Sequence, residues 1–131
     1  MTTRGLRNNN PGNIRKSSDD WRGLSATQGD AEYFTFTAPV WGIRALAKVL
    51  LTYYNRHGIN TVRGIVSRWS PPNENPTEAL IRNMSRRLEV DADEAISVPD
   101  RLSELVDALI IQENGFNPYT TEIINEAIRL I

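Results

Sequence analysis

The stretch Leu109-Ile110-Ile111-Gln112-Glu113-Asn114-Gly115-Phe116-Asn117-Pro118-Tyr119 carries an apolar helix to its end and leaves a carboxylate in the last turn. Gly, Asn and Pro follow at once, so the pattern predicts a helix that stops within a few residues of Glu113. A helix C-terminus disfavours an anion, and an apolar helix face disfavours any charge. Both effects push a carboxyl group towards its neutral, proton-donating form. A general acid needs that form near neutral pH. The plain alternative is an exposed, solvated helix-end Glu, the commoner case.

The other end of the chain is polar and turn-rich. Arg4-Gly5-Leu6-Arg7-Asn8-Asn9-Asn10-Pro11-Gly12-Asn13-Ile14-Arg15 holds four Asn, two Gly, a Pro and three Arg. Asn-Pro and Pro-Gly form turns, and each Asn amide both donates and accepts. Such a loop suits the hydroxyls and N-acetyl groups of a sugar, with Asn10 and Asn13 as candidates. It could equally be a loose polar terminus. Ile14, Trp21 and Leu24 follow closely and can pin it to a core.

The chain has 131 residues, enough for one domain with a real core. Net charge is −1, but the sign is uneven: beyond Glu89 only Arg101 and Arg129 are basic. A basic face towards an anionic polymer is therefore conceivable on the earlier part, with no Lys/Arg cluster of the kind that marks nucleic-acid binding. The absence of cysteine excludes disulfides, thiolate catalysis and Cys-ligated zinc. A single histidine, His57, argues against a His-rich metal site and a Ser-His-Asp triad. It falls where a helix should end and reads as a C-terminal capping cation. No metal and no cofactor is expected; Asp91 and Asp93 lack the Gly and terminal Glu of a calcium loop. No apolar run can span a bilayer or serve as a signal core. The expectation is synthesis in the cytoplasm without a signal peptide, no membrane insertion and a monomer.

Residues 1–30 read as an ordered loop region. Ala31-Glu32-Tyr33-Phe34-Thr35-Phe36-Thr37 has the composition of a short strand. Pro39 opens a helix through about Arg56, with Val40, Ile43, Leu46, Ala47, Leu50 and Leu51 at helical spacing. Asn60 or Thr61 caps a short helix to Trp69. Asn75-Pro76-Thr77-Glu78 starts a helix to about Leu88, with Asn75 as its cap. Asp100 is expected to cap the helix that carries Glu113, and Thr120 or Thr121 to start the last one. The chain reads as mainly α with a short β element.

A second polar constellation is Trp69-Ser70-Pro71-Pro72-Asn73-Glu74-Asn75. An indole beside a rigid turn with amides and a carboxylate suits carbohydrate, through Trp69 and Asn73. Trp69 as core and Asn75 as a mere cap is an equal reading. Trp21 and Tyr33 could line a cleft, though large aromatics are more often core. Asp20, Asp30, Glu32 and Glu74 are candidates for a second carboxylate, Glu74 foremost because of its polar setting.

The N-terminal Asn-Asn-Asn-Pro-Gly-Asn-Ile motif (Asn8 to Ile14) is joined by Phe34-Thr35-Phe36, Gly42-Ile43-Arg44-Ala45-Leu46-Ala47 and Thr61-Val62-Arg63-Gly64-Ile65. With Trp69 to Asn75, this combination resembles a family from phages and prophages whose members are known as virion structural or lysozyme-like proteins. The likeness covers nearly the whole chain. Separately, Glu113-Asn114-Gly115-Phe116-Asn117-Pro118 is similar to the Glu-Ser-Gly-Phe-Asn-Pro element of lytic transglycosylases and goose-type lysozymes. There the Glu ends a helix and is the catalytic acid, which implies that role for Glu113. Asn114 stands where that element has Ser, and the Gly-Leu-Met-Gln stretch is absent. In those enzymes the Glu helix comes first; here it comes near the end. The two likenesses are compatible in a circularly permuted lysozyme-like domain, with Asn8 to Ile14 beside Glu113 and the two chain ends close together.

The resemblance implies one lysozyme-like domain over residues 1–131 that cleaves the β-1,4 bond between N-acetylmuramic acid and N-acetylglucosamine in peptidoglycan. Glu113 is the expected acid and Glu74 the candidate partner. Asn10, Asn13, Trp21, Tyr33, Trp69, Asn73 and Asn114 are the expected glycan contacts. Action on the cell wall, in the periplasm, would then require phage- or secretion-type delivery. The alternative is a non-catalytic virion or wall-binding module, with nucleic-acid binding ranked last.

Overall fold

The computed structural model describes residues 2–131. Among them are six helices: α1 (Arg4–Arg7), α2 (Pro39–His57), α3 (Val62–Trp69), α4 (Thr77–Leu88), α5 (Leu102–Asn114) and α6 (Thr121–Arg129). Among the described residues no helix is long and apolar enough to cross a membrane.

Local sequence explains most boundaries. Pro39 opens α2, where its missing N–H costs nothing, and Gly58 closes it in the left-handed region at φ 65°. His57 is exposed in its last turn. Thr61 Oγ1 accepts from the Gly64 N–H at the start of α3, and Thr120 Oγ1 from the Ile123 N–H at the start of α6. Two expected caps are absent. The side chain of Asn75 reaches back instead, donating from Nδ2 to the Pro71 carbonyl at 3.0 Å, and Pro76 sits at the cap of α4. Asp100 lies one residue too early, because α5 begins at Leu102 and Arg101 occupies the cap position. Arg101 is held there by Glu104 and the Leu88 carbonyl, each at 2.8 Å.

The main core lies among α2 to α6. α5 is its centre, with Leu102, Leu105, Val106, Ala108, Leu109 and Ile110 all buried, the pattern of a helix covered on most sides. It packs against α2, α4 and α6, and α2 has its largest helix contact with α6. Arg44 of α2 is buried and donates from Nε to the Leu130 carbonyl at 3.0 Å, tying α2 to the C-terminal end of α6.

A second, smaller cluster joins Phe34, Phe36 and Ala45 to Ile14, Trp21, Leu24 and Trp41. It fastens the N-terminal third of the chain onto α2. The expected strand over residues 31–37 is not formed. Two isolated antiparallel bridges, Arg15 with Tyr33 and Leu24 with Phe36, take its place. The reason is visible in the hydrogen bonds: side chains compete for the backbone. Gln28 pairs with both the N–H and the carbonyl of Thr35, at 2.8 Å each. Asp30 Oδ1 accepts from the N–H groups of Glu32 and Tyr33. Asn10 Nδ2 donates to the Phe34 carbonyl at 2.9 Å. At Gly42 the N-terminal loop lies directly on α2, where any Cβ would collide with the Asn9 carbonyl.

Candidate functional site

Glu113 is the next-to-last residue of α5, and Gly115 turns the chain away at φ 85°. That turn leaves the carboxyl group half-buried between two segments far apart in sequence, the N-terminal loop and the end of α3. Trp69, the last residue of α3, donates from Nε1 to Glu113 Oε1 at 3.0 Å. Burial raises the pKa of Glu113 above the ordinary carboxylate value. The Trp69 N–H, the Asn13 side chain and the charge of Arg15 all pull it down, without cancelling the effect of burial.

The N-terminal loop is stapled to this helix end by Asn114. Its Nδ2 donates to the Pro11 carbonyl at 2.8 Å and to the Ile110 carbonyl at 2.9 Å, while its Oδ1 accepts from Thr3 Oγ1 at 2.6 Å. Gly5 allows this approach: a Cβ there would stand 2.9 Å from the Asn10 carbonyl oxygen, Asn13 Oδ1 and Asn114 Oδ1. Asn114 is thus buried and spent on two backbone carbonyls and the Thr3 hydroxyl, which corrects its expected role as a glycan contact. The same correction applies to Asn10. It has no exposed surface, and its amide pairs with the N–H and carbonyl of Ile14 and the carbonyl of Phe34. Asn13, by contrast, does face the site. It holds a left-handed φ of 51°, one of the few non-glycine types that tolerate it.

Glu113 opens into a cleft of about 560 Å³, in the size range of small-molecule sites. Asn13, Arg15 and Tyr33 line it from the N-terminal segment, Val49 and Tyr53 from α2, and Arg68, Trp69 and Ser70 from the end of α3. Glu74 and Asn75 of the α3–α4 loop also line it. Trp69 reconciles its two readings: its indole packs partly on the main core and its N–H serves the site. Tyr53 meets it edge-on, with ring centroids 6.1 Å apart.

Two expected contacts lie elsewhere. Asn73 is exposed on the α3–α4 loop and does not line the cleft. Trp21 lines a separate hollow with Asp19, Asp20, Lys48 and Arg56, which shares only Val49 with the Glu113 cleft. Among the four candidate second carboxylates, Glu74 alone lines the Glu113 cleft. Asp20 belongs to the Trp21 hollow. Asp30 is bound by Arg4 at 2.6 Å and by Asn8 at 3.1 Å, and the Arg4 guanidinium holds its carboxyl well below the usual range. Glu32 is paired with Arg4 and Arg15.

Tyr53, Arg15 and Arg68 were not anticipated. Arg15 lies over the Tyr33 ring at 5.4 Å and Arg68 over the Tyr53 ring at 5.1 Å, so each wall carries a cation stacked on a phenol. The signal available in sequence was Tyr53 four residues after Val49, a helical pair just off the core stripe. The arrangement offers a carboxyl group of raised pKa, aromatic faces, amides and two cations to one open cleft.

No family model matches the chain. It is 37% identical over 126 residues to Protein P5 of Pseudoalteromonas phage PM2, across 94% of this chain and 78% of that protein.

Proposed function

The chain belongs to the family of Protein P5 of phage PM2, and from that premise we propose that it is a phage-type peptidoglycan glycosidase. It cuts the β-1,4 bond between N-acetylmuramic acid and N-acetylglucosamine. The observation that carries this reading is Glu113, a half-buried carboxyl with a raised pKa at the edge of a polar, aromatic-walled cleft. Neutral Glu113 donates its proton to the glycosidic oxygen as that bond breaks. Positive charge then grows on the anomeric carbon of the N-acetylmuramic acid residue, while the protonated oxygen departs with N-acetylglucosamine. Either Glu74 or the sugar's own N-acetyl or 6-hydroxyl group answers that charge, and the 6-hydroxyl route gives an anhydro end. General acid catalysis of this kind contributes about 10²–10⁴-fold, and positioning by Asn13, Tyr33 and Trp69 adds to it.

In this reading the domain is a lysozyme-like one whose order is permuted. The N-terminal loop takes the cleft wall that follows the Glu helix in lytic transglycosylases. Its attachment to α5 through Asn114 supports that placement. The protein acts as a monomer on the cell wall after delivery by the phage or a secretion route.

The test is digestion of purified peptidoglycan by wild type and by Glu113→Gln, with the fragments weighed by mass spectrometry. Soluble glycan fragments lost in the variant are expected, and anhydro ends distinguish a transglycosylase from a muramidase. No release by folded wild type, on walls from several bacteria, would instead leave a wall-binding or virion module.

A further inference from the structure

A second groove, of about 540 Å³, runs between α4 and α5 and is lined in part by Gln112. Met84 and Ala108 are buried in its floor and Ile111 is half-buried in its wall. Arg86 and Arg87 line it and are exposed. No carboxylate is among the residues that line it. Neither arginine takes part in an ion pair among the described residues, although Arg4, Arg15, Arg63 and Arg101 all do. The groove is therefore apolar at its base with two unpaired arginines at its rim, of which Arg86 also lines a neighbouring hollow with Glu78 and Asp91.

It is also linked to the proposed site by one hydrogen bond. Gln112 precedes Glu113 and donates from Nε2 to Ser70 Oγ at 3.1 Å, and Ser70 lines the Glu113 cleft. The two hollows share no lining residue, and this bond ties a residue of one to a residue of the other. A ligand held at Glu113 would extend a branch past that bond to reach the groove.

Resting on the glycosidase reading, we propose that this groove binds the acidic stem peptide that branches from the muramic acid residue. Such a peptide presents small methyl side chains, amide bonds and several free carboxylates. The methyl groups match Met84, Ala108 and Ile111, the amides match Gln112, and the carboxylates match Arg86 and Arg87. Guanidinium groups bind carboxylates in a fork, and each ion–ion contact at such an exposed rim is modest and salt-sensitive. The groove thus makes the enzyme favour peptide-bearing strands over bare ones.

The experiment titrates the isolated synthetic tetrapeptide L-Ala-γ-D-Glu-meso-diaminopimelate-D-Ala into the full-length labelled protein and follows backbone amide signals. Saturable shifts at Met84, Ala108 and Ile111 are expected, weakened about tenfold in the Arg86→Ala/Arg87→Ala double variant and by added salt. Both positions are exposed, and an Arg86→Lys/Arg87→Lys variant, which keeps the charge, should recover much of the binding. No saturable shift in the groove, or equal affinity in the alanine variant, would overturn the proposal. Glycan digestion keeps the two readings apart. Protein that cuts peptide-free and peptide-bearing strands equally, without groove shifts, is a glycosidase lacking this subsite. Protein that binds the peptide yet cuts no strand keeps the groove and loses the glycosidase.

Discussion

The Glu113 pKa lies above its ordinary value because burial outweighs three neighbours that favour the anion. The folded protein therefore binds this proton more tightly than the unfolded chain, where the group titrates near 4.5. Its contribution to stability is present below that pH and is lost as pH rises through the raised folded value. Denaturant melts of Glu113→Gln against wild type should show the variant gaining relative stability from below 4.5 to neutral pH. A difference independent of pH would show that the carboxyl is not desolvated. Trp69→Phe removes the one donor on Oε1 while keeping an aromatic ring, so the Glu113 pKa should rise further. The alkaline limb of kcat/KM should then move to higher pH. Asn114→Ala leaves the Pro11 carbonyl and Thr3 hydroxyl without their partner and should cost about 1–3 kcal/mol in chemical unfolding. At this scale the half-buried carboxyl of Glu113 was legible from its place at an apolar helix end. The sequence did not distinguish Asn13, which faces the cleft, from Asn10 and Asn114, which serve the backbone. An amide offers the same atoms to a sugar or to a peptide group, and only tertiary position separates the two.

Helices were legible as elements because their periodicity and punctuation agree. α2 is bounded by Pro39 and Gly58, and α3 and α6 by threonines that bond as caps. Thr61→Ala and Thr120→Ala should each lower stability by about 1 kcal/mol in thermal melts. Asp100→Ala, with no cap to lose at α5, should change it by less than about 0.5 kcal/mol. The strand over 31–37 failed for a reason that propensity scales do not contain. Its β-branched and aromatic residues fit a sheet, but Gln28, Asp30 and Asn10 claim its backbone groups from outside the segment. The four-residue α1 was illegible because so short a helix has no period to read; it stands on the Thr3 cap and on the docking of Gly5 against Asn114.

The whole molecule has two apolar clusters of unequal size, and they should respond differently to strain. Leu109→Ala opens a cavity at the centre of the main core and should cost about 2–5 kcal/mol. Hydrogen exchange should find the slowest amides in α2 and α5 and markedly faster ones across residues 15–33, where much of the segment is exposed. The mainly helical organisation follows from patterning. The pairing of chain start with Glu113 does not, because it rests on contacts spanning most of the sequence, such as Asn114 to Pro11. That span carries a consequence for synthesis. The ribosome makes one wall of the cleft first and Glu113 with its staple about a hundred residues later. A nascent chain therefore carries no assembled cleft until Asn114 has emerged from the exit tunnel, and a transcript or chain cut short before α5 yields a protein without one.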